Sequence, residues 1–212
     1  MITPVNVYEH SRAYYEKKLE ESGCSPAGVD WKDEKSQHMR FHQLLKILPK
    51  SLQKFTIADV GCGYGELYYL IKKITSNFKY YGIDISDKMV EMAKVHCKGT
   101  ENAAFFSSNK IEFPVDYSIA SGIFNTKGTL DKEEWFEYIL DTIINMNQYS
   151  SLGFSFNCLT AYSDEDRKRT DLYYTDPLQI FDFCKKNFSK QVALLHDYPL
   201  YEFTILVRKS LD

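Results

Sequence analysis

Gly61, Gly63 and Gly65 alternate closely between two aspartates, Asp59 and Asp84, and residue types at this spacing can hold a nucleoside. The glycines follow the apolar segment Thr56-Ile57-Ala58-Asp59-Val60 and precede a helical pattern that begins at Glu66. Such a turn bends sharply at a strand's carboxyl end and leaves no Cβ in the path of a ligand. The helix beyond it aims unpaired N–H groups and the positive end of its dipole at the same place. Asp84 closes the next apolar run, Tyr80-Tyr81-Gly82-Ile83-Asp84, 19 residues after Gly65. A carboxylate there can accept from two ribose hydroxyls.

The glycine spacing separates two kinds of nucleoside. A dinucleotide turn reads G-x-G-x-x-G and seats a pyrophosphate on the helix terminus. Here the pattern is G-x-G-x-G, with Asp59 two residues before the first glycine. A carboxylate at that point repels a pyrophosphate and suits a cation. S-adenosylmethionine has no phosphate and carries an ammonium and a sulfonium, so it is the expected ligand. A hydride-transferring dehydrogenase is the weaker alternative.

Methyl transfer from such a ligand demands alignment and exclusion of water, with a base only where the acceptor must lose a proton. His196, in His196-Asp197-Tyr198 at the end of a strand, is the expected base, since imidazole titrates near neutral pH. The segment from Tyr162 to Tyr174 is long for a strand-to-helix connection, and long loops at this edge of an α/β sheet are commonly functional. Its mixed charge and its paired Tyr173 and Tyr174 suit a small polar acceptor such as a sugar, an amine or a hydroxy acid. Gln37 and Arg40 lie on a helix that could cover the cofactor and reach its methionine carboxylate. His38 and His42, one helical turn apart, lie on that helix too.

These residues need a scaffold, and the apolar pattern supplies one. Strands are expected over 55–60, 78–83, 103–107, 116–121, 151–158, 191–196 and 201–208. Between them, Leu67, Leu70, Ile71 and Ile74 mark one helix, and Met89, Val90, Ala93 and Val95 a second capped by Ser86. Trp135 to Ile144 marks a third, preceded by Asp131 as cap, and a fourth starts at Asp176-Pro177. Alternation of this kind predicts a parallel sheet with helices on both faces. Only Asp197 to Leu200 separate the last two strands, too few residues for a crossover, so the final strand must run antiparallel. Residues 1–50 read as an N-terminal helical lid, with Phe41, Leu44, Leu45 and Leu48 on one helical face stopped by Pro49. Residues 51–212 form the α/β domain.

Asp59-Val60-Gly61-Cys62-Gly63-Tyr64-Gly65 resembles the first motif of class I S-adenosylmethionine-dependent methyltransferases, with their Rossmann-like domain. Gly82-Ile83-Asp84-Ile85-Ser86 resembles their second motif, and Asp116 to Phe124 their fourth-strand motif. The resemblance implies a seven-stranded sheet of order 3-2-1-4-5-7-6. It places the backbone of Gly61, Cys62 and Gly63 beneath the methionine moiety, Asp84 on the ribose and Ile85 against the adenine. The family's usual acid after the third strand is replaced by Phe106-Ser107-Ser108-Asn109, so Ser108 or Asn109 would meet the adenine amino group. Ser121 to Asn125, after the fourth strand, would border cofactor and acceptor.

Composition excludes several classes. In 212 residues, a net charge of −3 and a pI near 6.0 give no electrostatic footprint for nucleic acid. Five dispersed cysteines without a C-x-x-C pair suggest neither disulfides nor a structural metal. No apolar run is long enough to span a bilayer, and Met1 to His10 lacks an export signal, which predicts a cytoplasmic protein with no membrane partner. The expected activity is methylation of a small polar acceptor. The alternatives are a protein or lipid-linked glycan acceptor, or a silent partner subunit of the same fold.

Overall fold

In a computed structural model, residues 5–49 and 53–209 are described. Its central strand, β1 (Phe55–Val60), is buried at all positions but Thr56, as befits a strand covered on both faces. β2 (Phe78–Asp84) and β4 (Val115–Ala120) flank it in parallel, and β3 (Ala103–Ser107) extends the sheet beyond β2. On the other side β5 (Ser150–Leu159) pairs in parallel with β4. β7 (Glu202–Arg208) then inserts antiparallel between β5 and the edge strand β6 (Gln191–Leu195). The order is 3-2-1-4-5-7-6 with a reversed last strand, as the pattern and the resemblance predict.

Each helix start has a chemical cause. Ser86 accepts from the Met89 N–H at the head of α4 (Asp87–His96). Asp131 accepts from Glu133 and Glu134 ahead of α5 (Lys132–Tyr149), and Asp176 does the same for α6 (Pro177–Asn187), with Pro177 in the first turn. α3 (Glu66–Ile74) emerges directly from the glycine turn. Ile74, Val95 and Ile144, expected on buried faces, are instead exposed. Val95 lies off the stripe formed by Met89, Val90 and Ala93, and Ile74 is the last residue of its helix.

Two cores sandwich the sheet. One joins Trp135, Ile139, Ile143 and Met146 of α5 and Ile180 of α6 to β-strand residues such as Phe154 and Phe156. The other joins Leu67, Leu70 and Ile71 of α3 to Phe41 and Leu44 of α2 (Glu34–Leu44). The expected helix through Leu48 tightens to a one-turn 3-10 helix over Leu45–Ile47. Thus α2 belongs to the sheet's own core, while α1 (Val5–Ser22) and the short turn Ala27–Val29 lie across the strand ends. The expected boundary at residues 50 and 51 lies outside the described residues. No helix among the described residues is long and apolar enough to cross a membrane.

Candidate active site

The glycine turn is held open by β2. The Ile83 carbonyl accepts from the N–H groups of Gly61 (2.8 Å) and Cys62 (3.1 Å), and the Gly63 N–H donates to Asp84 Oδ2 at 2.9 Å. Asp84 Oδ1 accepts from the Ser86 N–H at 3.0 Å, so one carboxylate ties the glycine turn to the head of α4. Gly61 has φ +72 and a Cβ there would stand 2.2 Å from Ile123, while at Gly63 (φ +53) it would meet Val29 at 2.8 Å. Neither position accommodates a side chain.

Around this turn lies a cleft of about 910 Å3, counting its open mouth. Ten of the eleven residues expected at the cofactor line it: Gln37, Asp59, Gly61, Cys62, Gly63, Asp84, Ile85, Ser108, Asn109 and Ser121. Sequence reasoning did not anticipate Tyr8, Ser11 and Tyr15 of α1, Val29 and Trp31 of the linker, or Tyr138 and Thr142 of α5. The tyrosines on α1 gave a signal, since they punctuate a charged helix. Nothing in the sequence marks Val29.

Burial dominates the electrostatics. Asp59 is buried and, among the described residues, its carboxylate accepts only the Tyr80 hydroxyl, at 2.5 Å. Loss of solvent pushes its carboxyl up to about 7, against the lowering effect of that hydrogen bond. Asp84 is raised as well, foremost by burial and partly offset by its backbone donors. Both settings favour a cation nearby. Two more polar atoms in this wall, Ser11 Oγ and Ser121 Oγ, are buried without a partner among the described residues. Ser108 is engaged in a turn with Lys110, whereas the exposed Asn109 makes no hydrogen bond among the described residues. Gln37 accepts from the Tyr64 hydroxyl at 3.1 Å and keeps its amide donors.

Arg40 is the exception among the expected cofactor residues. Its guanidinium pairs with Glu202 at the start of β7, Nε at 2.9 and 2.8 Å and Nη2 at 2.8 Å, and lies 4.1 Å from the Trp31 ring centre. It lines a second, more open cavity of about 600 Å3, again counting its open mouth, which shares Tyr15, Val29, Trp31 and Gly122 with the first. Asn157 donates to Glu202 at 2.5 Å and accepts from the Gly122 N–H at 2.8 Å, linking the ion pair to the junction of the two cavities. An acid at the head of the mostly apolar run Phe203-Thr204-Ile205-Leu206-Val207 was the available signal for Glu202.

The three residues expected to do chemistry line neither cavity. His196 is exposed beyond the edge strand β6, against Tyr162 and Phe203, because β7 separates β6 from β5 and the cleft. Tyr173 is half-buried beside the main core and hydrogen-bonds Asn125 through its backbone. The Tyr174 hydroxyl accepts from the Arg169 N–H at 2.9 Å. The long loop does reach the second cavity, but through Arg169 and Leu172. His38 joins His96 on Glu66, at 3.2 and 3.4 Å, on the rim of the first cavity. No cluster with metal-binding geometry occurs among the described residues.

Comparison with known proteins now decides the family. A methyltransferase-domain model matches residues 52–149. A Mycobacterium tuberculosis protein, named as a methyltransferase with no acceptor specified, is 50% identical over 156 residues, 74% of this chain and 94% of the relative. The chain belongs to the class I S-adenosylmethionine-dependent methyltransferases. A shorter match, 35% identical over 71 residues, joins this methyltransferase to the carboxy-S-adenosyl-L-methionine synthase of Campylobacter jejuni, covering 33% of the chain and 29% of that protein. Among solved structures, the magnesium protoporphyrin IX methyltransferase of Synechocystis, with bound S-adenosylhomocysteine, superposes with a TM-score of 0.65 at 13% identity over 98% of this chain and all of its own. The N-methyltransferase NodS of Bradyrhizobium japonicum gives 0.62 at 12% identity over 93% and 97%. These two likenesses concern the fold.

Proposed function

We propose that this methyltransferase acts on a small polar acceptor seated in the second cavity, with Tyr15, Trp31 and Gly122 at the border between acceptor and cofactor. The observation that carries this reading is the adjacency of the two cavities across those shared residues. The second is of small-molecule size and lined by charged and amide side chains, the usual make-up of a polar ligand site.

The cofactor site fits S-adenosylmethionine on its own chemistry. The Gly61–Gly63 backbone would pass beneath the methionine moiety, where the ammonium would give buried Asp59 the cation it lacks. Each Asp84 oxygen accepts one backbone N–H and retains a lone pair for a ribose hydroxyl. Ile85 would face the adenine, with Asn109 better placed than Ser108 to accept from its amino group. Ser121 and Gln37 would supply polar contacts to the methionine end. The bound cofactor supplies a methyl carbon activated by its sulfonium.

The chain's own part is alignment and exclusion of water. Trp31 and Val29 close over the glycine turns, and the Tyr15 hydroxyl lies 3.5 Å from the Gly122 carbonyl oxygen. Burial holds the Tyr15 phenol far above its ordinary range, so it serves as a neutral donor and not as a base. No histidine lines either cavity. An acceptor that ionises readily, or an amine already carrying a lone pair, suits this arrangement best.

Incubating the protein with methyl-labelled cofactor and a fractionated cell extract tests the reading. Label should enter compounds below about 1 kDa, a size the cavity can hold. Label entering protein or glycolipid alone would overturn it.

A further inference from the structure

The wall of the second cavity has more to donate than to accept. Its charged residues are Lys32, Arg40 and Arg169 against Asp30 and Glu202, and Arg169 is already paired with Asp171. Both carboxylates are engaged within the protein: Asp30 meets Lys18 at 3.0 Å and the Tyr14 hydroxyl at 2.7 Å, and Glu202 accepts from Arg40, Asn157 and, at 3.5 Å, Asn125. Lys32 makes no ion pair among the described residues.

Arg40 is the decisive group. Its side chain is only 11% exposed, so its N–H groups have little access to water. A guanidinium has five N–H donors. Nε and one Nη2 hydrogen face Glu202, and one Nη1 hydrogen goes to the Ser36 carbonyl at 2.8 Å. One N–H on each terminal nitrogen therefore remains without a partner among the described residues, and two such donors can grip a carboxylate or phosphate together. Trp31 stacked at 4.1 Å fixes the plane of the group, and Glu202 fixes its rotation. A nearly buried fork held this rigidly needs no reordering to receive an anion.

We propose that the acceptor carries an anionic oxyacid group, bound by the outer edge of Arg40 with Lys32 at the mouth, and presents its nucleophile toward Gly122 a few atoms away. This rests on the second cavity being the acceptor site. Arg40 then acts in acceptor specificity, its position set by Glu202, and not in cofactor binding.

Calorimetry on protein saturated with S-adenosylhomocysteine tests it with two matched pairs: 4-hydroxybenzoate against its methyl ester, and glycerol 3-phosphate against glycerol. The anionic member of at least one pair should bind about tenfold or more tightly than its neutral partner. The two pairs distinguish a carboxylate from a phosphate as the preferred group. Arg40→Gln alone leaves Glu202 buried and unpaired, so the variant of choice is Arg40→Gln with Glu202→Gln. It should lose the anion preference while its affinity for S-adenosylhomocysteine stays within about twofold. Equal binding of charged and neutral partners, binding of neither, or a preference that survives in the double variant would overturn the proposal. Failure of S-adenosylhomocysteine itself to bind the unaltered protein would overturn the cofactor reading beneath it.

Discussion

The two cavities share four residues and are built on opposite principles. The first is a backbone site: glycine turns, strand ends and two buried aspartates, of which Asp84 accepts from two backbone N–H groups and Asp59 from the Tyr80 hydroxyl. The second is a side-chain site, in which Arg40 of α2 meets Glu202 of β7 across 162 residues and two asparagines hold the acid. A backbone site tolerates variation in side chains around it and binds one fixed ligand. A side-chain site changes its ligand with one or two substitutions. A family that keeps its methyl donor and varies its acceptor needs both kinds.

The largest effect should come from the side-chain site. Glu202→Ala leaves Arg40 buried without its carboxylate, at a cost of about 3–5 kcal/mol. Thermal unfolding should shift down by roughly 6–20 °C for a chain of this size. A shift below about 2 °C would show that the pair is not a structural joint. Next, Gly61→Val forces a β-branched residue into φ +72 with its Cβ on Ile123. Affinity for S-adenosylhomocysteine should fall by about 100-fold or more. Retention of that affinity would mean the ligand does not approach the turn.

A smaller effect separates the sites by pH. Asp59, raised to about 7 in the folded state, holds a proton that the unfolded chain releases near pH 4. The stability this proton contributes is fully present below pH 4 and is lost as pH rises through 7. A bound ammonium favours the ionised carboxylate, so S-adenosylhomocysteine should bind about tenfold more tightly at pH 8 than at pH 6, with proton release. Asp59→Asn should flatten that dependence, and calorimetry in two buffers measures both quantities. The smallest effect is His196→Asn, which should leave turnover within about twofold, since the ring lies beyond β6 on the sheet's edge. A loss of tenfold or more would place an acceptor near that edge after all.

The same contrast governs what the sequence shows. Asp59, the glycine turn and Asp84 are legible because strand, turn and helix follow one another locally, and parallel pairing brings neighbouring strand ends together. The parallel sheet and the reversed β7 follow from equally local facts, the alternation of elements and a connection of four residues, whereas the strand order is what the family resemblance implies. The second cavity is opaque because its members share no segment. Arg40 reads as a cofactor contact on helix position alone, and only the packing of α2 against β5 and β7 brings it to Glu202. Trp31 sits in a linker with no periodicity. His196 shows the converse: a strand end is near the cleft only if its strand is, and β6 is the edge of the sheet.

The central claim is that Gly61 to Gly65, with Asp59 and Asp84, holds S-adenosylmethionine and not a dinucleotide. Titration calorimetry of the unaltered protein with S-adenosylmethionine, S-adenosylhomocysteine and NAD measures this most directly. The account predicts saturable binding of the first two at a single site, lost in Asp84→Ala, and no heat with NAD. Binding of NAD in preference to both, or no binding of either sulfur nucleoside, would contradict it.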